Sequence, residues 1–258
     1  MSSTSGKQPY DSHATGYAKC LDPTLTMAAE RLAELAGARP GMRVLDVATG
    51  TGTAARAAAR RGASVVGIDR SPGMLSVARK LSPEVNLTLG DVSALPSADG
   101  AFDAVTCGLS LSHFADRDAA LQEILRVLRP GGRLVASAWG QGSRLPTGVV
   151  DELLNHYGAP SPSEAPDEDT WQRPAQGSRV LSRAGFVDVV VMRESFDGSF
   201  AGADEALSWA LGWPLTAARF AQLDSARRQR LRRDSLKALV GSGLFRRFVF
   251  NFYLAFKG

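Results

Sequence analysis

A short apolar run that ends in a glycine-containing turn constrains the fold of this chain most. The run covers residues 44–47, glycines stand at Gly50 and Gly52, and an alanine-rich segment begins at Ala54. Strand, tight turn and helix in this order are typical of a nucleotide-binding βα corner, where a ligand approaches backbone amides and the helix N-terminus closely. Because Ala48 stands where G-x-G-x-x-G has its first glycine, the glycine spacing alone fits a structural turn about as well.

Three aspartates are associated with consecutive predicted strands. Asp46 lies in the first strand, Asp69 follows the strand 64–68, and Asp91 follows the strand 85–89. An acid about 20 residues beyond the glycine turn can accept hydrogen bonds from ribose hydroxyls. One such residue could simply cap the next helix. Three carboxylates at one edge of a sheet repel one another unless a polar group lies between them, so the pattern favours a binding site.

Four ordered motifs carry a resemblance to a known family. They occupy residues 46–52, 67–69, 90–96 and 129–134. As a set they resemble the class I S-adenosylmethionine-dependent methyltransferases, above all the branch of ubiquinone/menaquinone-pathway and small-molecule methyltransferases, over about Tyr10 to Trp139. The resemblance implies an α/β fold, namely a doubly wound, mostly parallel seven-stranded sheet of the Rossmann-like type, with a helical cap inserted before the last strand.

The resemblance also implies S-adenosyl-L-methionine as the cofactor. The first motif would form its methionyl and ribose side, Asp69 would clamp the ribose, and Asp91 with Val92 would form the adenine end. Met74 would lie against the adenine ring, although core packing explains this methionine equally well. The complete set of candidate cofactor residues is Tyr17, Asp46, Ala48, Gly50, Gly52, Asp69, Arg70, Met74, Asp91, Val92 and Leu109.

Four residues are candidates for contact with the substrate: Tyr10, His13, His113 and Trp139. In related enzymes an N-terminal aromatic segment closes over the cofactor, so Tyr17, Tyr10 or His13 would touch the methionyl end or the substrate; packing within a first helix is the alternative. His113 follows the fourth strand, beside the switch point where α/β sheets bind ligands. It is the one catalytic candidate, as a general base, but a substrate hydrogen bond or loop anchoring also fits, and we favour contact over catalysis.

The remaining pattern predicts alternating strands and helices. Helices are predicted at 26–36, 53–61, from Ser71, around 121–128, at 178–185 and over 204–240, and further strands at 102–107, 133–138, 187–192 and 248–256. Asp204 is a predicted N-cap, and Pro214 a predicted break. Residues 1–9 are predicted to be disordered and 159–170 to form a mobile surface loop. The predicted domains are an N-terminal segment (1–25), an α/β domain (26–200 and 241–258) and a cap over the substrate pocket (201–240).

Composition excludes several classes of protein. The 258 residues carry a net charge of +4, and no apolar run approaches the roughly 18 residues of a membrane span. The N-terminus lacks an apolar signal core, and two cysteines give no disulfide framework, so we expect a cytoplasmic protein. His13, His113 and His156 show no ligand spacing, so no metal is expected. The basic run 227–233 is interpreted as a solvated helix face, with an anionic-substrate or nucleic-acid patch as the alternative.

The leading hypothesis is a methyltransferase that acts on a small molecule in secondary metabolism, by in-line transfer to an O, N or C nucleophile. A methyltransferase fold that catalyses another reaction, such as a cyclisation, and a catalytically silent binding protein are the alternatives. Nucleic acid is disfavoured as a partner, because residues 110–113 read Ser-Leu-Ser-His rather than the Asn/Asp-Pro-Pro-Tyr used on base amino groups. The chain is expected to be a monomer or a homodimer.

Overall fold

The structure is a computed structural model that describes residues 7–161, 167–241 and 244–258. Its helices are α1 (Lys7–Cys20), α2 (Asp22–Leu35), α3 (Thr53–Arg60), α4 (Pro72–Leu81), α5 (Arg117–Val127), α6 (Pro146–His156), α7 (Glu168–Gln172), α8 (Pro174–Arg183), α9 (Ala203–Gly212), α10 (Pro214–Gln222) and α11 (Ser225–Gly241). A 3-10 helix covers Leu111–His113. Its strands are β1 (Arg43–Val47), β2 (Ser64–Asp69), β3 (Asn86–Leu89), β4 (Phe102–Gly108), β5 (Leu128–Trp139), β6 (Phe186–Ser199) and β7 (Phe245–Lys257).

The seven strands form one sheet in the order β3-β2-β1-β4-β5-β7-β6. The strands from β3 to β5 pair in parallel, whereas β7 pairs antiparallel with β5. The predicted fold class is therefore confirmed, including the insertion of helices α9, α10 and α11 before the last strand. From β1 the chain continues to β2 and β3 on one side of the sheet and then returns to β4 on the other side of β1. The carboxyl ends of β1, β2 and β4 therefore lie at the same edge of the sheet, at the point where such folds bind ligands.

Side-chain size explains how the glycine corner packs. Val44, Leu45 and Val47 of β1 are fully buried, as expected for a central parallel strand covered on both faces. Helix α3 follows the turn and buries four alanines, Ala54, Ala55, Ala57 and Ala58. Since alanine projects a single methyl group, the α3 backbone can lie close to the sheet and bring its N-terminus to the strand tips.

The chain divides into two compact units. The sheet unit comprises Leu25–Gln141, Pro166–Glu194 and Phe250–Gly258, and the helical unit comprises Met1–Thr24, Gly142–Ala165 and Ser195–Val249. Within the helical unit, Trp209 packs against the rings of Phe200, Trp213 and Phe248. It also donates a 2.9 Å hydrogen bond from Nε1 to Thr24 Oγ1. The predicted role of residues 201–240 as a substrate cap stays a prediction.

Several predicted boundaries were wrong. Gly202, not Asp204, occupies the N-cap of α9. Helix α1 begins at Lys7, inside the range predicted to be disordered, and α7 begins inside the predicted loop at 159–170, where Asp167 accepts a 3.3 Å hydrogen bond from the Thr170 amide. Residues 1–6 and 162–166 of those two predictions lie outside the described residues.

The helical region after β6 is also more divided than predicted. The break at Pro214 is confirmed, and a second break at Leu223 separates α10 from α11. Helix α6 was not predicted at all. Across the described residues, none of the helices combines the length and the apolar character needed to cross a bilayer.

Candidate functional site

The turn between β1 and α3 adopts left-handed backbone geometry at alternate positions. The φ angles are +51° at Ala48, +56° at Gly50 and +83° at Gly52. A Cβ at Gly50 would meet no atom within 4 Å, whereas one at Gly52 would lie 3.0 Å from Ser82 Oγ. Glycine therefore relieves backbone strain at both positions, and at Gly50 the backbone also faces open space in which a ligand can approach its atoms.

Asp46 lies buried beneath this turn, and both of its carboxylate oxygens accept hydrogen bonds. Thr49 Oγ1 donates to Oδ2 and Thr106 Oγ1 donates to Oδ1, each over 2.6 Å. Burial raises the pKa of Asp46 to about 6, although the two threonine hydroxyls oppose the shift. Thr106 lies directly opposite Asp46 on the neighbouring strand β4, so the carboxylate joins the turn to two strands of the sheet.

Asp69, at the tip of β2, connects the glycine turn to the next helix. Its Oδ2 accepts a 2.8 Å hydrogen bond from the Gly50 amide, and its Oδ1 accepts one of the same length from the Ser71 amide. Burial raises the pKa of the carboxyl group, while the two amides and the charge of Arg70 lower it. The structure thus brings the first two motif carboxylates to the same turn, as the sequence predicted from their spacing.

The predicted adenine end shows mixed exposure. Asp91 is exposed and its Oδ1 accepts hydrogen bonds from the Ser93 amide and hydroxyl, at 3.0 and 2.7 Å. Val92 is half-buried against the core. Met74 is only 2% exposed, and its amide donates to the Ser71 hydroxyl that caps α4. Its burial fits core packing as readily as contact with a ligand, so both interpretations of Met74 remain.

The exit of β4 places a neutral imidazole near a positive charge. Leu109 has a φ of +55°, and its amide donates to the Ser137 carbonyl over 3.0 Å. His113 ends the 3-10 helix and is half-buried. Burial, and after it the charge of Arg70, lowers the pKa of His113 to about 4. The imidazole is therefore uncharged near neutral pH, and its unprotonated nitrogen can accept a hydrogen bond.

The other predicted substrate residues are distributed over both units. Trp139 ends β5 in the sheet unit and stacks on Phe250, with ring centroids 4.9 Å apart. Tyr10, His13 and Tyr17 lie on α1, in the helical unit. The rings of Tyr17 and Trp213, a tryptophan of the same unit, form a T-shaped pair with centroids 6.0 Å apart. His13 Nδ1 lies 2.9 Å from Ser12 Oγ. Their roles stay predictions.

Two threonines of this site were missed by the sequence analysis. Thr49 stands three residues after Asp46, a spacing at which a hydroxyl commonly reaches a carboxylate in a turn, so a signal existed. Thr106 gave no signal, because threonine is common in strands and only the β1–β4 register places it opposite Asp46. Within the described ranges, no three His, Cys, Asp or Glu side chains are placed to hold a metal ion.

Comparison with known proteins agrees with this geometry. A family model described as a methyltransferase domain matches residues 45–136. A demethylmenaquinone methyltransferase from Renibacterium salmoninarum is 48% identical over 101 residues, which is 39% of this chain and 43% of the relative. One from Parafrankia sp. is 36% identical over 182 residues, covering 62% of this chain and 70% of the relative. The chain thus spans less than half the length of the first relative and more than two thirds of the second.

Solved structures share the fold. The YcgJ protein from Bacillus subtilis has a TM-score of 0.60 and 20% identity, covering 90% of this chain and 98% of that one. A phosphoethanolamine N-methyltransferase from Haemonchus contortus, solved with S-adenosyl-L-methionine, has a TM-score of 0.55 and 22% identity, covering 91% of this chain and 52% of that one. The Parafrankia relative, covered over 70% of its length at 36% identity, shows that this chain belongs to the class I S-adenosylmethionine-dependent methyltransferases, in the menaquinone branch, and the shared fold agrees with this.

Proposed function

We propose that this protein is an S-adenosylmethionine-dependent methyltransferase that acts on a small molecule with a quinol-type or phenolic ring. The observation that carries the proposal is the contact between the glycine turn and Asp69, in which the Gly50 amide donates to Asp69 Oδ2 over 2.8 Å. This contact holds an acidic side chain beside a turn whose backbone faces open space. Such a pairing of backbone and carboxylate suits a ligand that carries a ribose next to a charged group.

The residues around the turn fit S-adenosyl-L-methionine. Gly50 and Gly52 would admit the methionyl and ribose groups, and the Asp69 carboxylate would accept hydrogen bonds from ribose hydroxyls. Asp91 and Val92 would contact the adenine. When bound, the cofactor supplies an electrophilic methyl group on a sulfonium, which is open to in-line attack. The chain's own contribution is to position the acceptor, which can lower a barrier by about 7–11 kcal/mol in well-oriented cases.

The proposed acceptor class comes from the relatives and from the state of His113. The two relatives described above are named demethylmenaquinone methyltransferases. A quinol must lose a proton when a methyl group is added to one of its ring carbons or hydroxyl oxygens. The pKa of about 4 leaves the His113 imidazole neutral at physiological pH. An imidazole with so low a pKa is a weak base but can still accept a hydrogen bond, so His113 would orient the acceptor hydroxyl rather than remove its proton.

The finer assignments belong to the same proposal. We place the enzyme in secondary metabolism, because the match to the first relative covers only 39% of this chain and the remaining residues are free to select another acceptor. A cytoplasmic location fits the free cysteines, Cys20 and Cys107. The assembly state, monomer or homodimer, stays a prediction.

Mass spectrometry tests the proposal. The purified chain would be incubated with methyl-deuterated S-adenosylmethionine and a panel of water-soluble quinols and phenols. We expect one product that is heavier by a single labelled methyl group, with release of S-adenosylhomocysteine. The Asp69→Asn variant, which keeps the side-chain shape, should form that product more slowly at limiting cofactor.

The alternatives give different results in the same assay. A product isomeric with its substrate would indicate a cyclisation or rearrangement instead of methyl transfer. Labelling of an RNA or DNA mixture, with none of the small molecules labelled, would indicate a nucleic-acid methyltransferase. An absence of S-adenosylhomocysteine with every acceptor, despite measurable cofactor binding, would contradict the proposed activity and favour a binding protein.

A further inference from the structure

Helix α11 exposes a stripe of cationic side chains that the proposed reaction does not use. Leu231, Ser235 and Leu239 form the buried face of this helix. With 3.6 residues per turn, Arg230, Arg233 and Lys237 lie on the opposite face, and all three are exposed. We call these three residues the α11 stripe.

Little acidic charge balances the stripe. Helix α11 contains six cationic side chains and one acidic side chain, Asp234. Asp234 lies 3.0 Å from Arg233 and also accepts a hydrogen bond from the Tyr157 hydroxyl, so it is shared between two partners. Asp224, just before the helix, pairs with Arg227 at 3.5 Å, outside the stripe. The stripe therefore keeps a positive field that an anionic surface would neutralise.

Two cations on the flanks of the helix contact other parts of the helical unit, and within the stripe Arg233 donates a 3.0 Å hydrogen bond to Asp234. Arg228 donates from Nε to the Leu223 carbonyl over 2.7 Å. The guanidinium of Arg232 lies 5.2 Å from the centre of the Phe220 ring. Both flanking side chains remain exposed, so they add to the positive charge of the helix, while the stripe is the part of that charge that lies opposite the buried face.

Two exposed apolar side chains follow the stripe in the sequence. Val240 lies one turn beyond Lys237 on the outward side and is 67% exposed, and Phe245, at the start of β7, is 48% exposed. A single exposed valine or phenylalanine is ordinary. Both follow a cationic stripe within a short stretch of chain, and this combination of basic and apolar groups is that of helices that lie at a lipid–water interface.

We propose that the α11 stripe, with Val240 and Phe245, docks this protein onto an anionic lipid bilayer. The cations would approach lipid phosphates, and the two apolar side chains would enter the boundary between headgroups and acyl chains. A bilayer accounts for both kinds of side chain, whereas the phosphate backbone of a nucleic acid would account for the charges alone. The binding itself is independent of the methyltransferase activity; only its purpose, access to a lipid-soluble quinol, rests on the proposed function.

Vesicle co-sedimentation tests this proposal without any cofactor or acceptor. The full chain would be mixed with vesicles of phosphatidylglycerol and phosphatidylcholine, and separately with vesicles of phosphatidylcholine alone. We expect binding to the anionic vesicles only, weakening as NaCl rises from 50 to 300 mM, on the scale over which the Debye length shortens. A triple variant, R230Q/R233Q/K237Q, should bind about a hundredfold more weakly, since each cation near the surface contributes about fivefold.

A matched variant separates the stripe from overall charge. R79Q/K80Q/R183Q removes three exposed cations from the sheet unit, and we expect it to bind almost as the native chain does. The V240S/F245S variant should lose affinity at all salt concentrations, because its apolar contribution is not screened. Circular dichroism would confirm that every variant is folded.

Three outcomes would overturn the proposal. They are failure of the native chain to bind anionic vesicles at low salt, equal loss of binding in the two triple variants, and binding to DNA or RNA with none to vesicles. A separate methylation assay with a water-soluble quinol, without vesicles, reports on the proposed function. Vesicle binding without methylation would therefore refute the proposed activity but support the docking surface. Methylation without vesicle binding would refute the docking surface but support the activity.

Discussion

Replacing Thr106 by valine tests the network beneath the glycine turn. The Thr106 hydroxyl donates over 2.6 Å to Asp46 Oδ1, and the other oxygen is occupied by Thr49. Valine has nearly the same shape as threonine but no hydroxyl, so the variant leaves one oxygen of a buried carboxylate without this donor. A hydrogen bond to a charged group contributes about 1.5–3 kcal/mol, against about 0.5–1.5 kcal/mol for a neutral one.

The pH dependence of the loss follows from the pKa of Asp46. Burial raises this pKa from an ordinary 3.8 to about 6, so between these pH values the folded state binds more protons than the unfolded state. The contribution of Asp46 to the free energy of unfolding therefore falls as pH rises through that window. In T106V the pKa of Asp46 should be higher still, because a hydrogen bond that lowers it is lost, so the free energy of unfolding should fall further than in the native chain. We expect T106V to lose about 1 kcal/mol at pH 5, where the carboxyl is protonated, and about 2–3 kcal/mol at pH 8.

Urea unfolding followed by circular dichroism, at pH 5 and pH 8, measures this difference. Taking the difference between variant and native chain at each pH cancels the titration of other groups. The control is Thr106→Ser, which keeps the hydroxyl and should recover most of the loss at pH 8. Equal stability of T106V and the native chain at pH 8, a loss that is the same at both pH values, or a serine variant no better than valine would refute the reasoning.

Two further predictions concern a titratable group and a buried ion pair. Proton NMR should give His113 a pKa of about 4, and R70Q should move that pKa upward, because the Arg70 charge helps to lower it; a pKa near 6.5 in the native chain would contradict the described burial. In the helical unit, buried Arg219 donates to Asp151 Oδ1 and Asn155 Oδ1, over 2.6 and 2.7 Å. Arg219→Met should lower the free energy of unfolding in urea by about 3 kcal/mol, at the low end for a buried ion pair because Asp151 is partly exposed. A loss below about 1 kcal/mol would show that these contacts contribute little to stability.

The strands of the sheet were predictable from local residues, but their order was not. The apolar run in β1 gave the strand, and Gly50 and Gly52 gave the turn, because few other residues tolerate that geometry. The order β3-β2-β1-β4-β5-β7-β6 depends on pairing between residues far apart in sequence, which no local pattern specifies. The family resemblance, not periodicity, supplied it.

The missed helix α6 shows a signal that was present but not used. Pro146 occupies a first-turn position, and Val150 and Leu154 are buried four residues apart, which is the spacing of one helix face. The segment that follows is rich in proline and serine, and its loop-like composition masks the helical spacing when a long window is considered. Composition over a long window concealed a short periodic segment.

Some residues of the candidate site were predictable from the sequence, and their partners were not. Asp46 and Asp69 stood out because acidic residues are unusual at the ends of buried strands, and the structure brings both to the glycine turn. The partners of Asp46 could not be assigned so readily, since Thr106 belongs to another strand 60 residues away. The sequence can therefore show that a carboxylate belongs to a site, but the hydrogen-bond partners of that carboxylate depend on how the strands are paired.

Calorimetric titration with S-adenosylmethionine tests the central claim most directly. If the glycine turn and Asp69 form the cofactor site, the native chain should bind one cofactor per chain, and Asp69→Asn should weaken binding about ten- to a hundredfold, as expected for loss of hydrogen bonds to a charged group. Thermal unfolding would confirm that the variant is folded. A native chain that releases no heat of binding, or a folded Asp69→Asn variant with native affinity, would contradict the account.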